Sequence, residues 1–430
     1  MFRGQLALLW KIFFKSLPVQ ENPNVTPLNP HRMTRDEKRA SFSLACIYGL
    51  RMLGLFMVLP VFAIEAKGYV GGEDAVAIGF AVGLYGLVQA ALQIPFGLAA
   101  DRFGRKRVII FGLLLLALGS WIAAVATSVH GLAWGRAIQG GGAISAAVSA
   151  LLADQTRTEV RTKGMALIGA SIGLMFALSL VIGPFLSHWG GLPMIFDVTL
   201  VLAFLGMAVI IFWTPAEQLH IDRQAPLAFS ELKRLVFTPD LLKLYFGVFV
   251  LYAVQLATWM SVPGLLLSAG IDKADHGWVY LPAVLLSFVV MGMSLFRLEK
   301  KGLLRPLFLG SIFLVFVVQL GFIVQSQTTP SFWALECLLF AFFSGFNVLE
   351  ASQPSLASKI APPQARGSTL GIYNTLQSLG IFTGAALGGW IAKHVGNEGL
   401  FAGAALLLLI WAGVSSKMNY YPQHQTPLKS

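Results

Sequence analysis

Twelve apolar runs follow one another along this chain, at about 42–64, 75–100, 107–127, 130–153, 164–187, 190–213, 241–268, 276–296, 303–325, 331–353, 367–392 and 396–416. A hydrocarbon core about 30 Å thick takes roughly 20 residues at ~1.5 Å of rise each, and each run is long enough. Inside lipid every backbone N–H and C=O needs a partner from its own segment, so runs of this length are read as helices. Only 12% of residues are charged and the mean hydropathy is +0.72, where soluble domains carry about 25% charged residues. The expected fold is therefore an all-α membrane protein with twelve transmembrane helices.

The net charge of +11 raises the alternative of nucleic-acid binding, and the placement of the cations removes it. With the N-terminus taken as cytoplasmic, 26 of the 31 Lys and Arg fall on the cytoplasmic side, against Lys67, Lys273 and Lys393 on the other. This bias is the positive-inside rule, and it predicts that both termini face the cytoplasm. The remaining two cations, Arg51 and Arg136, lie inside spans. Cys46 and Cys337 both sit in apolar runs without metal-ligand spacing, which argues for buried thiols and against a disulfide framework.

Residues 1–41 form a cytoplasmic N-terminal segment. Its first part, "MFRGQLALLWKIFFKSL", is basic and apolar but too short to span, and suits an interfacial helix; "PVQENPNVTPLNPHR" reads as a linker. Met33 opens a plausible start of its own, so residues 1–32 read equally as an upstream extension or as part of the translated chain, and no small-residue cleavage site marks a signal peptide. The longest polar interval, 214–240, separates an N-terminal six-helix bundle (42–213) from a C-terminal one (241–418), leaving a short tail at 419–430. Within the interval Ser230 is placed to cap a short amphipathic helix through Phe237. Asp101-Arg102-Phe103-Gly104 has a faint echo 198 residues later in Glu299-Lys300-Lys301-Gly302, as two parallel repeats would produce.

The stretch between spans 2 and 3 reads "GLAADRFGRK". Positive-inside flanking explains its cations but not Asp101, nor the glycines at 97 and 104. Gly97, Asp101, Arg102, Gly104, Arg105 and Lys106 match the signature loop of the major facilitator superfamily, which this chain resembles; Ala99 departs where that family prefers Leu. The resemblance covers about residues 34–418 and implies the family's fold, two pseudo-symmetric six-helix bundles in a bacterial inner membrane. It also implies that Asp101 meets the positive N-terminal end of span 11, near Gly367 to Gly371, and latches the bundles on the cytoplasmic side. Gly97 would let span 2 approach its neighbour closely. Asp154 and Arg161, in "ADQTRTEVRTKGMA", resemble a second loop motif that joins Asp101, Arg105 and Asp154 in a charge relay; ordinary helix-end charges are the plainer alternative.

Arg136, a quarter of the way into span 4, costs about 2–3 kcal/mol on insertion scales and so is expected to face a cavity or partner. Arg136, Gln139 and Gly140 resemble a motif that the family's antiporters associate with proton coupling, while Ala137, Gly141, Ser145 and Ser149 make a small-residue packing stripe. Arg51 lies near mid-span 1 within an L-G-x-x-x-x-x-P-V element, Leu53 to Val61, similar to that of drug:proton antiporters. Span 5 carries Gly183-Pro184, the centre of the antiporter motif, but Ser187-His188 replace its trailing glycines. Gly380, Gly384, Gly388 and Gly389 form a cleaner stripe in span 11, and for both spans close packing is the plainer alternative.

Proton coupling needs an acid whose ionisation can change in a low-dielectric cavity. The in-span acids are Asp197, Glu336 and Glu350, with Glu350 favoured because Asn347 and Gln353 lie nearby; Glu336 lies 14 residues earlier, roughly 21 Å away. Tyr85, Gln89 and Gln93 in span 2, Tyr252 and Gln255 in span 7, and Tyr373, Asn374 and Gln377 in span 11 are expected to line a central cavity suited to an amphipathic organic solute. No phosphate-binding loop, metal-ligand set or nucleophile elbow is visible, so neither ATP, a cofactor nor enzyme chemistry is expected. About a dozen residues follow Met418, too few for the extra cytosolic domain that some relatives carry. The expected function is secondary transport by a monomer, exporting small organic compounds in exchange for protons. A symporter or uniporter for a sugar or organic acid, and a structural or signalling membrane protein, remain as alternatives.

Overall fold

The computed structural model describes residues 32–217, 229–362 and 365–418. The expectations for residues 1–31, for residues 218–228 of the polar interval and for the tail beyond Met418 lie outside them. Span 1 is Arg35–Met57, continued by a separate turn at Phe62–Glu65; span 2 is Ala75–Phe103 and span 3 Arg105–Ala124. Span 4 is Val129–Gly140 with Ser145–Asp154, and spans 5 and 6 share Thr158–Ala208. A surface helix, Phe229–Val236, precedes span 7, Pro239–Ser268, and span 8, His276–Lys300. Span 9 is Leu304–Gln327, span 10 Phe332–Ile360, span 11 Arg366–His394 and span 12 Gly396–Ser416.

Among the described residues ten helices are long and apolar enough to cross a membrane. Two facts reconcile this with twelve passes. Span 11 is 29 residues long, but its Ser, Thr, Asn and Gln lower its hydropathy. The 55-residue stretch Glu159–Trp213 would reach about 80 Å if straight, and it reverses at Gly191, where φ is 64° and ψ −158°. The packing follows the reversal: Gly164 lies on Ser41 and Gly183 on Met57, then Thr199 returns to Gly54 and Trp213 to Arg39. Span 5 thus runs parallel to span 1, and span 6 antiparallel.

Several boundaries differ from the sequence reading. Span 1 leaves the α-helix at Met57 because Pro60 cannot supply an N–H and disfavours helix before it. Span 4 breaks after Gly140, so the expected stripe at 137, 141, 145 and 149 does not stay on one face. The close approaches come instead at Gly135 on Ala123 and Gly140 on the Tyr85 backbone. The surface helix begins at Phe229, so Ser230 is inside it rather than its cap. Most consequentially, the loop between spans 2 and 3 is one residue. Span 2 runs through Phe103 and span 3 starts at Arg105, with Gly104 at φ 93° making the turn, a backbone region only glycine enters freely. Gly302, 198 residues on, turns at φ 70°.

Candidate functional site

The charged side chains gather at three depths: the basic end, the opposite or far end, and the middle of the bundle.

At the basic end Arg105, the first residue of span 3, ion-pairs with Asp154 at the end of span 4 and approaches Asp101 on span 2 at 3.6 Å. It also donates to the Ala150 carbonyl. The three expected relay residues are brought together. Arg161 is not part of the trio: it donates to the Ala153 carbonyl at 2.9 Å and so closes the turn between spans 4 and 5. Arg102 lies beside Phe103, 5.4 Å from the ring. The expected contact between Asp101 and span 11 is not made in this structure: the Asp101 side chain is 67% exposed and pairs with its own neighbour, Arg105. Nothing lies within 4 Å of where a methyl would sit on Gly367 or Gly371. Gly97 is likewise not in a forced approach, since a methyl there would meet Ala146 at an ordinary 3.7 Å.

No motif points to the groups that complete this end. Glu217, beyond span 6, accepts the backbone N–H groups of Arg105 at 2.8 Å and Lys106 at 3.4 Å. A carboxylate is thus set on the positive end of span 3, where orphan N–H groups need an acceptor. Lys106 Nζ donates to the Thr214 carbonyl at 2.8 Å. Glu37 is 5% exposed and holds the Arg157 guanidinium at 2.8 Å, joining the start of span 1 to the turn before span 5. These pairs span up to 120 residues, and no local motif announces them.

At the far end the two sets of six are drawn together. Lys273, before span 8, lies 2.6 Å from Glu65 after span 1, and Ser187 donates to the same carboxylate at 2.7 Å. Lys393, ending span 11, lies 3.1 Å from Asp74, which caps span 2. The Lys393 ammonium, and then the Val76 backbone N–H, hold the Asp74 carboxyl below its ordinary range. Two of the three far-side lysines therefore bridge the halves. Alongside, spans 2 and 11 touch backbone to backbone: a methyl on Gly79 would collide with Ala385, on Gly83 with Phe382, and on Gly86 with Ser378. Gly384 and Gly388 pack on Ala253 and Ala257 of span 7, and Gly183 on the Met57 backbone with Pro184 buried beside it. The expected helix-packing role is what the geometry displays.

In the middle, the N-terminal half carries buried cations. Arg51 is 1% exposed and donates to the Tyr85 hydroxyl at 2.9 Å and to Gln89 at 3.3 Å. Arg136 is 2% exposed, lies 4.8 Å above the Tyr85 ring, and donates to Gln139 at 2.8 Å; Gln139 in turn donates to Ser120. Gln93, one turn beyond Gln89, is also buried. The C-terminal half carries a carboxyl group: Glu350 accepts the Tyr252 hydroxyl at 2.7 Å, with Tyr373 and Gln377 bordering the pair. Gln255 is buried one turn along span 7 from Tyr252, and Asn374 is half-buried on span 11. Asn347 turns away to donate to Ser287 of span 8.

The other two acids fall outside this group. Asp197 is exposed, six residues past the reversal at Gly191. Glu336 lies in the second turn of span 10, three to four turns from Glu350. Of the three in-span acids, Glu350 is the one at mid-depth, beside Tyr252. No cluster of three or more His, Cys, Asp or Glu suited to a metal occurs among the described residues.

Comparison with known proteins identifies the fold. The sequence profile of the Major Facilitator Superfamily matches residues 44–385 and 305–428. The inner membrane transport protein YajR of Escherichia coli K12 is 40% identical over 92% of this chain and 86% of its own length. The multidrug resistance protein MdtH of Proteus mirabilis is 28% identical over 80% of this chain and 84% of its own. Among solved structures, the D-xylose-proton symporter superposes with a TM-score of 0.72 over 88% of this chain and 97% of its own, at 16% identity; that likeness speaks for the fold alone.

Proposed function

This chain belongs to the major facilitator superfamily, a multi-pass inner-membrane transporter and not an enzyme, and we propose that it exports small organic compounds in exchange for protons. The observation that carries the reading is the asymmetry between its two ends. The far end is closed by two ion pairs and three glycine contacts between the halves, while Arg366, Gly367 and Ser368 at the start of span 11, at the basic end, are exposed. With the basic end taken as cytoplasmic, this is the pose of a carrier open to the cytoplasm.

The seal is of a kind that can be undone. The Asp74 and Lys393 side chains are 40% and 46% exposed, and an ion pair so open to solvent contributes little. A few kcal/mol of substrate and proton binding energy suffices to shift such an equilibrium. In the opposite pose Asp101 exchanges the Arg105 contact for the N-terminus of span 11, and Gly97 takes up the close approach it does not make here. Glu350 is the proton carrier in this reading: protonation removes the one mid-depth negative charge. Export is favoured over uptake by the multidrug resistance naming of MdtH-type relatives and by the antiporter-like Gly183-Pro184 and Arg136–Gln139 elements.

The test is transport by purified protein in liposomes with a pH dye inside. Addition of amphipathic compounds from a broad panel should release protons down an imposed gradient, in proportion to compound uptake in the opposite sense. Compound flux in the same direction as the protons, or flux indifferent to the gradient, would exclude antiport.

A further inference from the structure

Arg51 and Arg136 approach one phenol, Tyr85, from two sides, and every partner they have is neutral: Tyr85, Gln89 and Gln139. Arg51 Nε and Nη1 and Arg136 Nε are buried without a protein partner, as is Gln93 Nε2. A guanidinium cannot relieve this by losing its proton. An ionised group buried without a counter-charge costs several kcal/mol, and a second cation nearby adds repulsion.

Six described acids are engaged elsewhere, and Asp197 is exposed, six residues past the reversal at Gly191. Asp101 and Asp154 belong to Arg105, Glu37 to Arg157, Glu65 to Lys273 and Asp74 to Lys393. Glu350 is held by Tyr252 in the other half, and none of the ion pairs among the described residues includes Arg51 or Arg136. Arg51 and Arg136 therefore present three buried, unpartnered donor atoms and two positive charges, and Gln93, one turn beyond Gln89 on span 2, adds an unpartnered amide. Such a surface favours a ligand that brings acceptors and negative charge.

We propose that Arg51 and Arg136 form an anion receptor, and that the transported compound is an organic anion whose carboxylate, sulfonate or phosphate group docks on them. The planar guanidinium fork matches such groups through paired hydrogen bonds, and Tyr85 offers an aromatic face to the body of the compound. The site so defined is the transport site proposed above, and its substrate class rests on that reading. Glu350 lies in the other half, held by Tyr252, and takes no part in holding the anion; its charge, when present, opposes one.

The test measures equilibrium binding to the purified full-length chain in detergent, without a gradient. The probes are a panel of aromatic carboxylates, sulfonates and phosphates, each beside its neutral amide or ester and its amine counterpart. The acids should raise the melting temperature with saturation, and the neutral and cationic counterparts should not. Arg51→Gln and Arg136→Gln should each weaken acid binding at least tenfold, Arg51→Lys should retain part of it, and Glu350→Gln should preserve or strengthen it. Stabilisation by amines or neutral isosteres alone, by none of the acids, or equally in Arg51→Gln and the parent would overturn the assignment. Should the Gln variants not fold, loss of acid binding when Glu350→Gln is made, or its persistence after arginine modification with phenylglyoxal, would overturn it as well. Proton-coupled flux of cations without anion binding would sink this inference alone, whereas anion binding without proton coupling would sink only the antiport reading.

Discussion

The Lys273 ammonium lies 2.6 Å from Glu65, and the two residues belong to different halves of the chain, 208 positions apart. Removing either charge should loosen the far end without unfolding the protein. Lys273→Ala is expected to increase labelling of a single cysteine placed in the far half of the cavity severalfold, while the melting temperature changes little. Unchanged labelling would show that this pair does not hold the seal.

The second far-end pair gives a pH dependence whose sign is fixed. Lys393 lowers the Asp74 carboxyl, so its contribution is complete above about pH 4, the ordinary aspartate value, and is lost as pH falls through the lowered one. Far-end labelling should therefore be flat from neutral to mildly acid pH and rise only below the ordinary aspartate range. Asp74→Asn should remove the acid rise and show high labelling throughout.

Asp101→Asn separates a stability role from a switching role. The carboxylate is largely exposed and 3.6 Å from Arg105, a pair worth about 0–1 kcal/mol. Insertion and melting should stay near those of the parent, yet transport should fall below a tenth. Near-normal transport by an inserted variant would remove Asp101 from the switch.

Glu217→Gln tests the carboxylate on the start of span 3. It keeps one acceptor for the N–H groups of Arg105 and Lys106 but loses the charge, and a charge at a helix terminus contributes about 0.3–1 kcal/mol, or up to ~2 when partly buried. A fall in thermal stability of that order is expected, with Glu217→Ala falling further.

What the sequence made legible was whatever a single stretch of chain decides. Apolar run length gave the spans, and Gly104 with its neighbours gave the turn whose φ of 93° no other residue type adopts easily. The cost of an arginine in lipid announced that Arg51 and Arg136 would be buried inside the protein. Partner choice was not legible, because it is set by how helices distant in sequence pack. Glu37 reads as one acid among several in a charged head, and only the fold brings Arg157 to it; Glu217 stands in a polar linker like any other. Asp101 was expected against span 11, and the structure places it elsewhere because the halves meet at the other end. A sequence specifies both poses at once, whereas a structure holds one.

The account stands on the two ends of the molecule closing in alternation. Its most direct test is a pair of spin-label distances, read by double electron–electron resonance, after Cys46 and Cys337 are replaced by serine. One pair joins Val70 and Val395 at the far end, and the other joins Arg102 and Ser368 at the basic end, all four being exposed. In lipid the far-end distance should be short while the basic-end distance is long, and acid pH with a bound compound should lengthen the first as it shortens the second. Distances that stay fixed, or that lengthen together, would contradict it.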